Sequence, residues 1–420
     1  MLIAGNDAAA ALARVDALHT ALTDIVLEGG DLDRIAAEVG KVLDVGVLIT
    51  STDGRERASA MEPALRAALA DSGFIDLSGR VRVELISGEG SVLGSGQVRT
   101  LRVAAGGEDL ARLVCCRIDG EIPEGDVHAL ERTAAVAALL ITREEAVTAV
   151  ENKYQGDFLR DLFLRRAGDD RYVEEHADAF GWDLRRPVTV VVAELDPPEP
   201  GEDASGPQRR RWQDRFSAAW RQVTASLEQG VPSVDFSSEV VTLLPVAEGD
   251  EEPWPGHDAV RRVVSAVAGD KGGGRRPFSV GVSRVARSLA ELPDAYAQAR
   301  RTVQVGRRIH GSGSTTFFDQ LGVHRLIALV PDVEELRAFA RDVLGPVAEP
   351  TPAADDLRAT LRILLDTNFN VAEAARLQFF HYNTMRYRVG KLERLLGPLS
   401  SDPHLRLDVA VALRVLEIAP

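Results

Sequence analysis

The run NVAEAARLQFFHYNTMRYRVGKLERLL occupies residues 370–396, and its spacing predicts two helices joined by a tight turn. Asn370 followed three residues later by Glu373 is a variant of the capping box, which opens a short helix. A three-residue connection then leads to a longer helix that begins near His381 or Asn383. The pair is short, and the turn between its helices is tight.

The longer helix has one apolar stripe and a basic remainder. Its apolar residues recur at steps of four, three and four: Met385, Val389, Leu392 and Leu396. The other positions carry Arg386, Tyr387, Arg388, Lys391 and Arg394. Between residues 381 and 396 four basic residues face one acidic residue, so the outer side of this helix is positively charged.

A short helix, a tight turn and a second helix with a basic outer face are typical of a helix-turn-helix, whose second helix enters the major groove of double-stranded DNA. In that geometry Tyr382, Asn383 and Thr384 lie near base edges or phosphates, while arginines reach guanine edges or the backbone. An ordinary solvated helix, with arginine stems lying over apolar surface, is the alternative. The candidate DNA-binding residues are His381, Tyr382, Asn383, Thr384, Arg386, Tyr387, Arg388 and Lys391.

The charge of the chain is distributed unevenly. The net charge is −15, from 49 Lys and Arg against 64 Asp and Glu, which by itself disfavours a nucleic-acid binder. From residue 355 to residue 420, however, nine basic residues stand against eight acidic ones. The acidic excess therefore lies elsewhere, where it suppresses loose DNA binding and leaves the contact to one basic helix.

Length and composition predict a multidomain α+β protein. At 420 residues the chain is too long for one ordinary core, and its 45% hydrophobic and 27% charged residues are typical of a folded, soluble protein. The longest apolar run, Ala134 to Ile141, is much shorter than the roughly 20 residues of a membrane span, and no signal peptide is recognised. We expect a cytoplasmic protein without membrane contact.

Residues 1–125 are predicted to form a sensor domain of the GAF or PAS type, in which helices cover a sheet. Helical spacing runs from Ala8 to Val42, and Gly88 to Gly96 is interpreted as a hairpin loop. The strand candidates are Val45–Ile49, Val81–Ile86, Thr100–Val103 and Leu110–Arg117. A sheet domain that binds no ligand is the alternative, since no residue marks a pocket.

The two cysteines, Cys115 and Cys116, are adjacent in the last of these strand candidates. Neighbouring residues of a strand point to opposite faces, so we expect two buried, reduced thiols rather than a disulfide. The chain contains no His-x-x-x-His or Cys-x-x-Cys pattern, and neither a metal site nor a cofactor is predicted.

Residues 126–166 are predicted to form one connecting helix. Leu140, Val147 and Tyr154 recur seven residues apart, a spacing that favours a partner helix and hence a homodimer or homotetramer. Glu144 and Glu151 occupy the positions of a second seam, so a signalling helix that packs on its own domain remains the alternative.

Residues 167–345 alternate strand and helix candidates in ferredoxin-like order. The strand candidates are Pro187–Leu195, Val240–Val246 and Phe278–Ser283, and the helix candidates are Trp212–Gln229, Ala259–Ala268 and Leu289–Arg308. The segment Gly345 to Asp355, which is rich in proline and alanine, is interpreted as an interdomain linker before the C-terminal domain, residues 355–420.

The C-terminal residues resemble a known family. The run His381-Tyr382-Asn383-Thr384-Met385-Arg386-Tyr387-Arg388, followed by Leu392-Glu393, Leu407 and AVAL at 410–413, resembles the helix-turn-helix of PucR/CdaR-type regulators, which is itself similar to that of Fis. Tyr382 stands where the family often has Arg or Pro, and Phe380 where Val is common, which bears on base preference. The resemblance implies that Asp402-Pro403 begins a closing helix whose buried residues are Leu405, Val409, Leu413 and Leu416.

The central residues resemble the same family's degenerate relative of the GGDEF domain. The resemblance rests on Val280-Gly281-Val282-Ser283, Leu289, Ala295-Tyr296, Ala299-Arg300, Val305-Gly306 and Phe318-Asp319-Gln320-Leu321-Gly322. There is no Gly-Gly-Asp/Glu-Glu-Phe run, and Val240 to Val246 is expected to pass straight through the position of the family's hairpin. Without the glycines that admit phosphates and the acids that hold metal, we expect a dimerisation or ligand module and no catalytic residues.

Taken with the residues, the resemblance implies a ligand-responsive, sequence-specific transcription regulator of a small-molecule pathway such as purine or nitrogen-source use, with an effector that the sequence does not name. A protein-interaction or ligand-binding module that does not read DNA is the first alternative. A nucleotide cyclase-like enzyme is the second.

Overall fold

A computed structural model describes residues 2–76, 79–199, 201–202, 204–227, 230–246, 257–269 and 276–419. The chain divides between Lys153 and Tyr154 into two compact units. No helix in the described ranges is long and apolar enough to cross a membrane.

The first unit is a sheet flanked by helices. Its helices are α1 (Leu2–Leu27), α2 (Leu32–Leu43), α3 (Pro63–Asp71) and the first part of α4 (Glu124–Phe163). Its strands are β1 (Gly46–Thr50), β2 (Glu56–Ala60), β3 (Ser91–Leu93), β4 (Ser95–Ala105), β5 (Glu108–Arg117) and β6 (Asp119–Gly120). The strand order is β2-β1-β5-β4-β3 with antiparallel neighbours, and β6 pairs with β4 in parallel.

Both faces of this sheet are covered. Helices α1, α2 and α4 bury one face around residues such as Ile35, Leu130 and Cys115. On the opposite face Cys116 packs with Leu69 of α3. The adjacent thiols thus lie on opposite faces of β5, and both are free and buried, as the alternation of the strand predicts.

The structure divides the predicted helical run of this unit in two and differs from the prediction at one strand candidate. The helical run Ala8–Val42 is two helices, because Gly29 turns the chain at φ +77° and Asp31 caps α2 by accepting a hydrogen bond from the backbone N–H of Arg34. The strand predicted at Val81–Ile86 is largely a 3-10 turn, Val83–Leu85. The segment Gly88–Gly96 does form a hairpin, but it is not only a loop, since it contains β3 and the first residues of β4, which pair across Gly94.

Helix α4 runs for 40 residues, and its middle is exposed on all sides. Leu140 is buried in the first unit, whereas Val147 and Tyr154 are 50% and 67% exposed. The seven-residue spacing therefore marks one buried and two exposed positions. Further along the helix, Phe158 packs against the core of the second unit.

The second unit begins with a five-stranded sheet. Its strands are β7 (Val188–Leu195), β8 (Ser233–Asp235), β9 (Val240–Pro245), β10 (Phe278–Ala286) and β11 (Thr315–Phe317), and its helices are α5 (Asp170–Ala179), α6 (Gly206–Leu227), α7 (His257–Gly269) and α8 (Leu292–His310). The order β11-β10-β7-β9-β8, antiparallel except for β10 with β11, contains the predicted ferredoxin-like βαββαβ arrangement.

This sheet is also buried on both faces. Helices α6 and α7 cover one face through residues such as Phe216 and Val263. Helices α5 and α8 and the end of α4 cover the other through residues such as Val173, Val303 and Leu159.

The prediction that Val240–Val246 passes straight through the hairpin position is wrong. Strand β9 forms a hairpin with β8, and the turn Phe236–Glu239 closes with a hydrogen bond of 2.8 Å from the backbone N–H of Phe236 to the carbonyl of Glu239. Ser237 takes φ +66° in this turn. Strand β8 is three residues long, too short for its alternation to be recognised in the sequence.

The remaining chain is helical: α9 (His324–Ile327), α10 (Val333–Leu344), α11 (Pro352–Asp366), α12 (Val371–Leu377), α13 (Tyr382–Leu396) and α14 (Pro403–Ile418). Helix α14 begins at Asp402-Pro403 as predicted, with the Asp402 carboxylate accepting from the backbone N–H groups of His404 and Leu405. Val409 and Leu413 are buried, and Leu405 and Leu416 are partly buried.

The segment Gly345–Asp355 is structured rather than an extended linker, although most of its residues are exposed. Gly345–Ala348 forms a 3-10 turn in which Val347 is fully buried, and Thr351 caps α11. A further cluster joins the central and C-terminal parts of the unit, with Val305 of α8 and Ala340 of α10 packing with Val415 of α14. The two parts therefore share a core.

Candidate nucleic-acid interface

Helix α12 begins at the predicted N-cap, Asn370, but the reciprocal half of the capping box is not formed, because the backbone N–H of Asn370 donates to the carbonyl of Thr367 at 2.9 Å. The Asn370 side chain accepts a hydrogen bond of 3.2 Å from the backbone N–H of Glu373, and its amide lies 3.5 Å from the Glu373 carboxylate. Ala374 and Ala375 are buried where α12 packs on its neighbours. The small residues let α13 cross closely, so the cap and the crossing together set the angle between the two helices.

Helix α13 rests on its apolar stripe. Met385, Val389 and Leu392 are buried with Leu361 and Leu364 of α11 in the C-terminal core. A helix fixed along one side presents the other side to solvent. The opposite face of α13 is therefore a rigid surface.

His381 begins α13 as its N-cap. Its ring Nδ1 accepts a hydrogen bond of 3.3 Å from the backbone N–H of Asn383. Tyr382, Asn383 and Thr384 occupy the first turn and are exposed. The first turn thus offers its side chains and the positive end of the helix dipole to an anionic partner.

Four exposed polar or basic side chains continue this face toward the end of the helix: Arg386, Tyr387, Lys391 and Arg394. In the described part of the chain no ion pair involves Arg386, Lys391 or Arg394. The acid of this helix, Glu393, accepts instead from the backbone N–H of Ser400 at 2.9 Å. The positive charge of the outer face is therefore uncompensated by neighbouring carboxylates.

Arg388 differs from the other predicted site residues. Its guanidinium donates to Asp356 at 2.5 Å and to the Thr360 hydroxyl at 2.9 Å, both on α11, and it lies 4.6 Å from the ring centre of Phe380. The side chain is 21% exposed. Arg388 thus ties α13 to α11, while the other seven predicted residues are exposed at the start or on the outer side of α13.

Three further residues belong to this surface. Phe379 stands in the turn at φ +56° and is 96% exposed. Arg394 lies on the outer face, and so does Gly390, where no heavy atom lies within 4 Å of the position that a Cβ would take. Arg394 belongs to the basic part of the helix that the spacing predicts, and helical spacing from Asn383 would have added both Arg394 and Gly390 to the candidate DNA-binding residues. Nothing local in the sequence marks Phe379, because its exposure is a property of the folded turn.

Two family models match parts of this chain. Residues 357–415 match the model of the PucR C-terminal helix-turn-helix domain. Residues 165–305 match the model of a GGDEF-like domain. The chain thus contains a PucR-type helix-turn-helix and a GGDEF-like central domain.

Two curated relatives carry functional names. The chain is 34% identical over 144 residues to the purine catabolism regulatory protein of Bacillus subtilis (strain 168), covering 34% of this chain and 26% of that protein. It is 23% identical over 247 residues to the carbohydrate diacid regulator of Escherichia coli (strain K12), covering 58% of this chain and 60% of that protein. The chain therefore spans less than two thirds of the length of either relative.

A solved structure, the regulator of polyketide synthase expression from Bifidobacterium adolescentis, has 18% sequence identity and a TM-score of 0.28, with 62% of this chain and 96% of that chain covered. A TM-score this low supports no comparison of detail.

Proposed function

We propose that this chain, with its PucR-type helix-turn-helix and GGDEF-like central domain, is a ligand-responsive, sequence-specific transcription regulator of the PucR/CdaR type. The observation that carries the proposal is the outer face of α13. The buried apolar stripe on the opposite side of α13 fixes that face in position. The face presents Arg386, Lys391 and Arg394 without carboxylate partners among the described residues.

The exposed side chains divide into two roles. Asn383 and Arg386 are suited to base edges, since an amide pairs with adenine and a guanidinium with guanine. Thr384, Lys391 and Arg394 are suited to phosphates, which position a protein on the duplex. Tyr382 and Tyr387 offer a ring and a hydroxyl to sugars, thymine methyls or phosphates.

Two predicted residues act indirectly in this proposal. His381 fixes the first turn of α13 as its N-cap, and Arg388 fixes the orientation of the helix through Asp356. Phe379 is added to the contact surface. A bulky residue in the left-handed region costs about 1–2 kcal/mol, and such strain is retained where it serves a site.

We propose that the central domain is not an enzyme. The turn between β8 and β9 consists of Phe236, Ser237, Ser238 and Glu239, with no glycine to admit a phosphate. The Glu239 carboxylate is buried and accepts from the Tyr296 hydroxyl, and burial raises its pKa above the usual range. A carboxyl held in this way is a structural group rather than a metal ligand.

The first unit is proposed to be a sensor domain of the GAF or PAS type, in a cytoplasmic protein that works as a homodimer. Its support is a sheet covered by helices on both faces. The exposed Val147 and Tyr154 of α4 support a partner helix. The named relatives suggest that the regulated pathway handles a small molecule, such as a purine or a carbohydrate diacid.

The test is selection of genomic fragments by the purified full chain at about 0.15 M salt. The wild type is compared with the double variant Asn383→Ala, Arg386→Ala. A control, Arg171→Ala, removes the same charge from α5, where Arg171 is 88% exposed and pairs with Glu175. The wild type and the control are expected to enrich one sequence motif that the double variant does not enrich.

Equal recovery of all fragments by the wild type would contradict sequence-specific reading and would favour a module that acts through protein contacts. Loss of enrichment in Arg171→Ala as well would show that net charge, rather than the outer face of α13, accounts for binding.

A further inference from the structure

A cleft of about 580 Å³ opens beside α8 in the second unit. One wall runs along α8 from Pro293 to Arg308, and the others come from the end of α4, α9, the start of α10 and the last residues of α14. Sites for small molecules have volumes of about 300–1,000 Å³. The cleft is therefore large enough for a metabolite.

The lining combines positive charge with apolar walls. Arg300, Arg301 and Arg308 contribute three guanidinium groups from one helix, and Gln304 lies between them. The lining residues, all within the described part of the chain, include no aspartate or glutamate. The apolar wall includes Phe163, Pro293, Ile327, Val330, Val333 and Leu336.

The arginines of α8 differ in how far neighbouring carboxylates neutralise their charge. Arg307, also on α8 but not part of the cleft, pairs with Glu194 at 3.0 Å and with Asp196 at 2.6 Å. Two carboxylates thus neutralise Arg307, which has a structural role. The three arginines of the cleft have no comparable set of partners.

Arg300 pairs with a single carboxylate, that of Glu239, at 3.3 Å. Arg308 donates to the carbonyl oxygen of Ile418 at 2.9 Å, a neutral acceptor. No hydrogen bond or ion pair links the Arg301 guanidinium to another described residue, although this residue is partly buried. The cleft therefore has a net positive charge, and among its three arginines Arg301 is the one whose guanidinium binds no other described residue.

We propose that this cleft binds a small organic anion, with a carboxylate, sulfonate or phosphate group held by Arg301 and an apolar body held by the facing walls. The planar guanidinium matches the geometry of such anions and bonds them in a bidentate manner.

The position of the cleft gives the ligand a regulatory role. The lining extends to Ile418 and Ala419 at the end of α14. Helix α14 also packs in the core that supports α13, where Val409 and Leu413 lie with Met385. A bound anion contacts both α8 and the helix that supports the DNA-reading face. This role rests on the proposed function, whereas binding itself does not.

The test measures binding by the full chain without DNA. The probe is anilinonaphthalene sulfonate, an anion with an apolar body whose fluorescence rises when it is bound. Arg301→Gln is expected to weaken its affinity at least about tenfold, because one charge-assisted hydrogen-bond pair is lost. Arg171→Gln, the same substitution on α5, is expected to leave the affinity unchanged.

A second variant fills the cleft and removes no charge. Ala297 lines the cleft and is exposed on α8, so Ala297→Trp is expected to abolish probe binding while the melting temperature stays near that of the wild type. The neutral analogue phenylnaphthylamine is expected to bind at least about tenfold more weakly than the sulfonate.

Equal affinity of the sulfonate for the wild type, Arg301→Gln and Ala297→Trp would overturn the proposal. So would equal affinity of the wild type for the charged and the neutral probe, which would indicate an apolar patch. Neither result depends on whether the protein binds DNA, so failure of the cleft and failure of the regulator proposal are distinguishable.

Discussion

Arg386 and Arg388 lie two residues apart on α13, and their environments assign them different tasks. Arg388 is bonded to Asp356 and Thr360, whereas Arg386 is exposed without an ion pair among the described residues. Because a helix turns about 100° per residue, two arginines that lie two positions apart face solvent and the protein core respectively.

We expect Arg388→Ala to lower the free energy of unfolding by about 1 kcal/mol, since Asp356 and Thr360 lose their charged partner. Arg386→Ala is the matched control and is expected to leave unfolding unchanged while it relaxes the preference for one base in the DNA site, at a cost of about 1–3 kcal/mol. Chemical denaturation and titration with DNA sites that differ at single bases measure the two effects. Reversed roles for the two arginines would contradict the geometry.

The adjacent thiols of β5 are expected to be unreactive in the folded protein. Burial raises the pKa of Cys116 to about 12 and that of Cys115 well above its usual range. At about pH 8 the thiolate, which is the reactive form, is then scarce. A thiol reagent such as dithionitrobenzoate is expected to react with neither cysteine in the native chain and with both after unfolding. Rapid reaction of the native protein would place β5 at an exposed position.

At the scale of the element, Gly390 is the unusual residue of α13. It lies in the middle of the length of the helix, and a Cβ at this position would meet no heavy atom within 4 Å. In the free protein Gly390→Ala is therefore expected to raise the free energy of unfolding by about 0.5–1 kcal/mol, since alanine restricts the unfolded chain and favours the helix.

The same substitution is expected to weaken DNA binding. Because Gly390 has no side chain, a duplex bound to the outer face of α13 can approach the backbone closely at this position, and a methyl group would prevent that. Gly125→Ala, at an open glycine in the first turn of α4, is the control for DNA affinity and is not expected to change it. Unchanged DNA affinity of Gly390→Ala would mean that this part of α13 does not lie against the duplex.

Elements with local signals were predictable from the sequence. The N-cap at Asn370, the stripe on α13 and the start of α14 at Asp402 are all encoded within a few residues of the element that they define. Hydrogen bonds of caps and helical spacing act over one turn, so one segment of sequence contains the cause.

Elements whose cause is distant in sequence were not predictable. Arg388 turns inward because Asp356 stands 32 residues away on α11. The segment at Gly345 resembles a linker by composition, and only the burial of Val347 among helices of the C-terminal core makes it structural. Exposure of Phe379 likewise depends on how α12 and α13 pack, which its neighbours in sequence do not specify.

At the scale of the molecule, the central domain and the helix-turn-helix share a core. Val305 and Phe318 of the central part are buried with Ile327 and Ala340 and with Val415 of α14 in one apolar cluster. Domains joined by a flexible linker unfold separately, whereas parts that share buried residues lose stability together. The cleft beside α8 adjoins this shared core, so a ligand there contacts the same elements.

The four tryptophans allow a direct test, because they occur at positions 182, 212, 220 and 254, all before the C-terminal helices. Val415→Ala removes a buried side chain from α14, 1% exposed, and is expected to cost about 2 kcal/mol. If the unit unfolds as one, the midpoint of the tryptophan fluorescence transition falls by roughly 5 °C, although no tryptophan lies near the substitution in sequence.

Val323→Ala, at a 38% exposed valine of the same unit, is expected to change the midpoint by less than about 1 °C. A tryptophan transition that stays at the wild-type temperature in Val415→Ala, while helix content decreases earlier, would show that the helix-turn-helix unfolds alone. In that case contact between α14 and the central domain would be too weak to carry a signal from the cleft to α13.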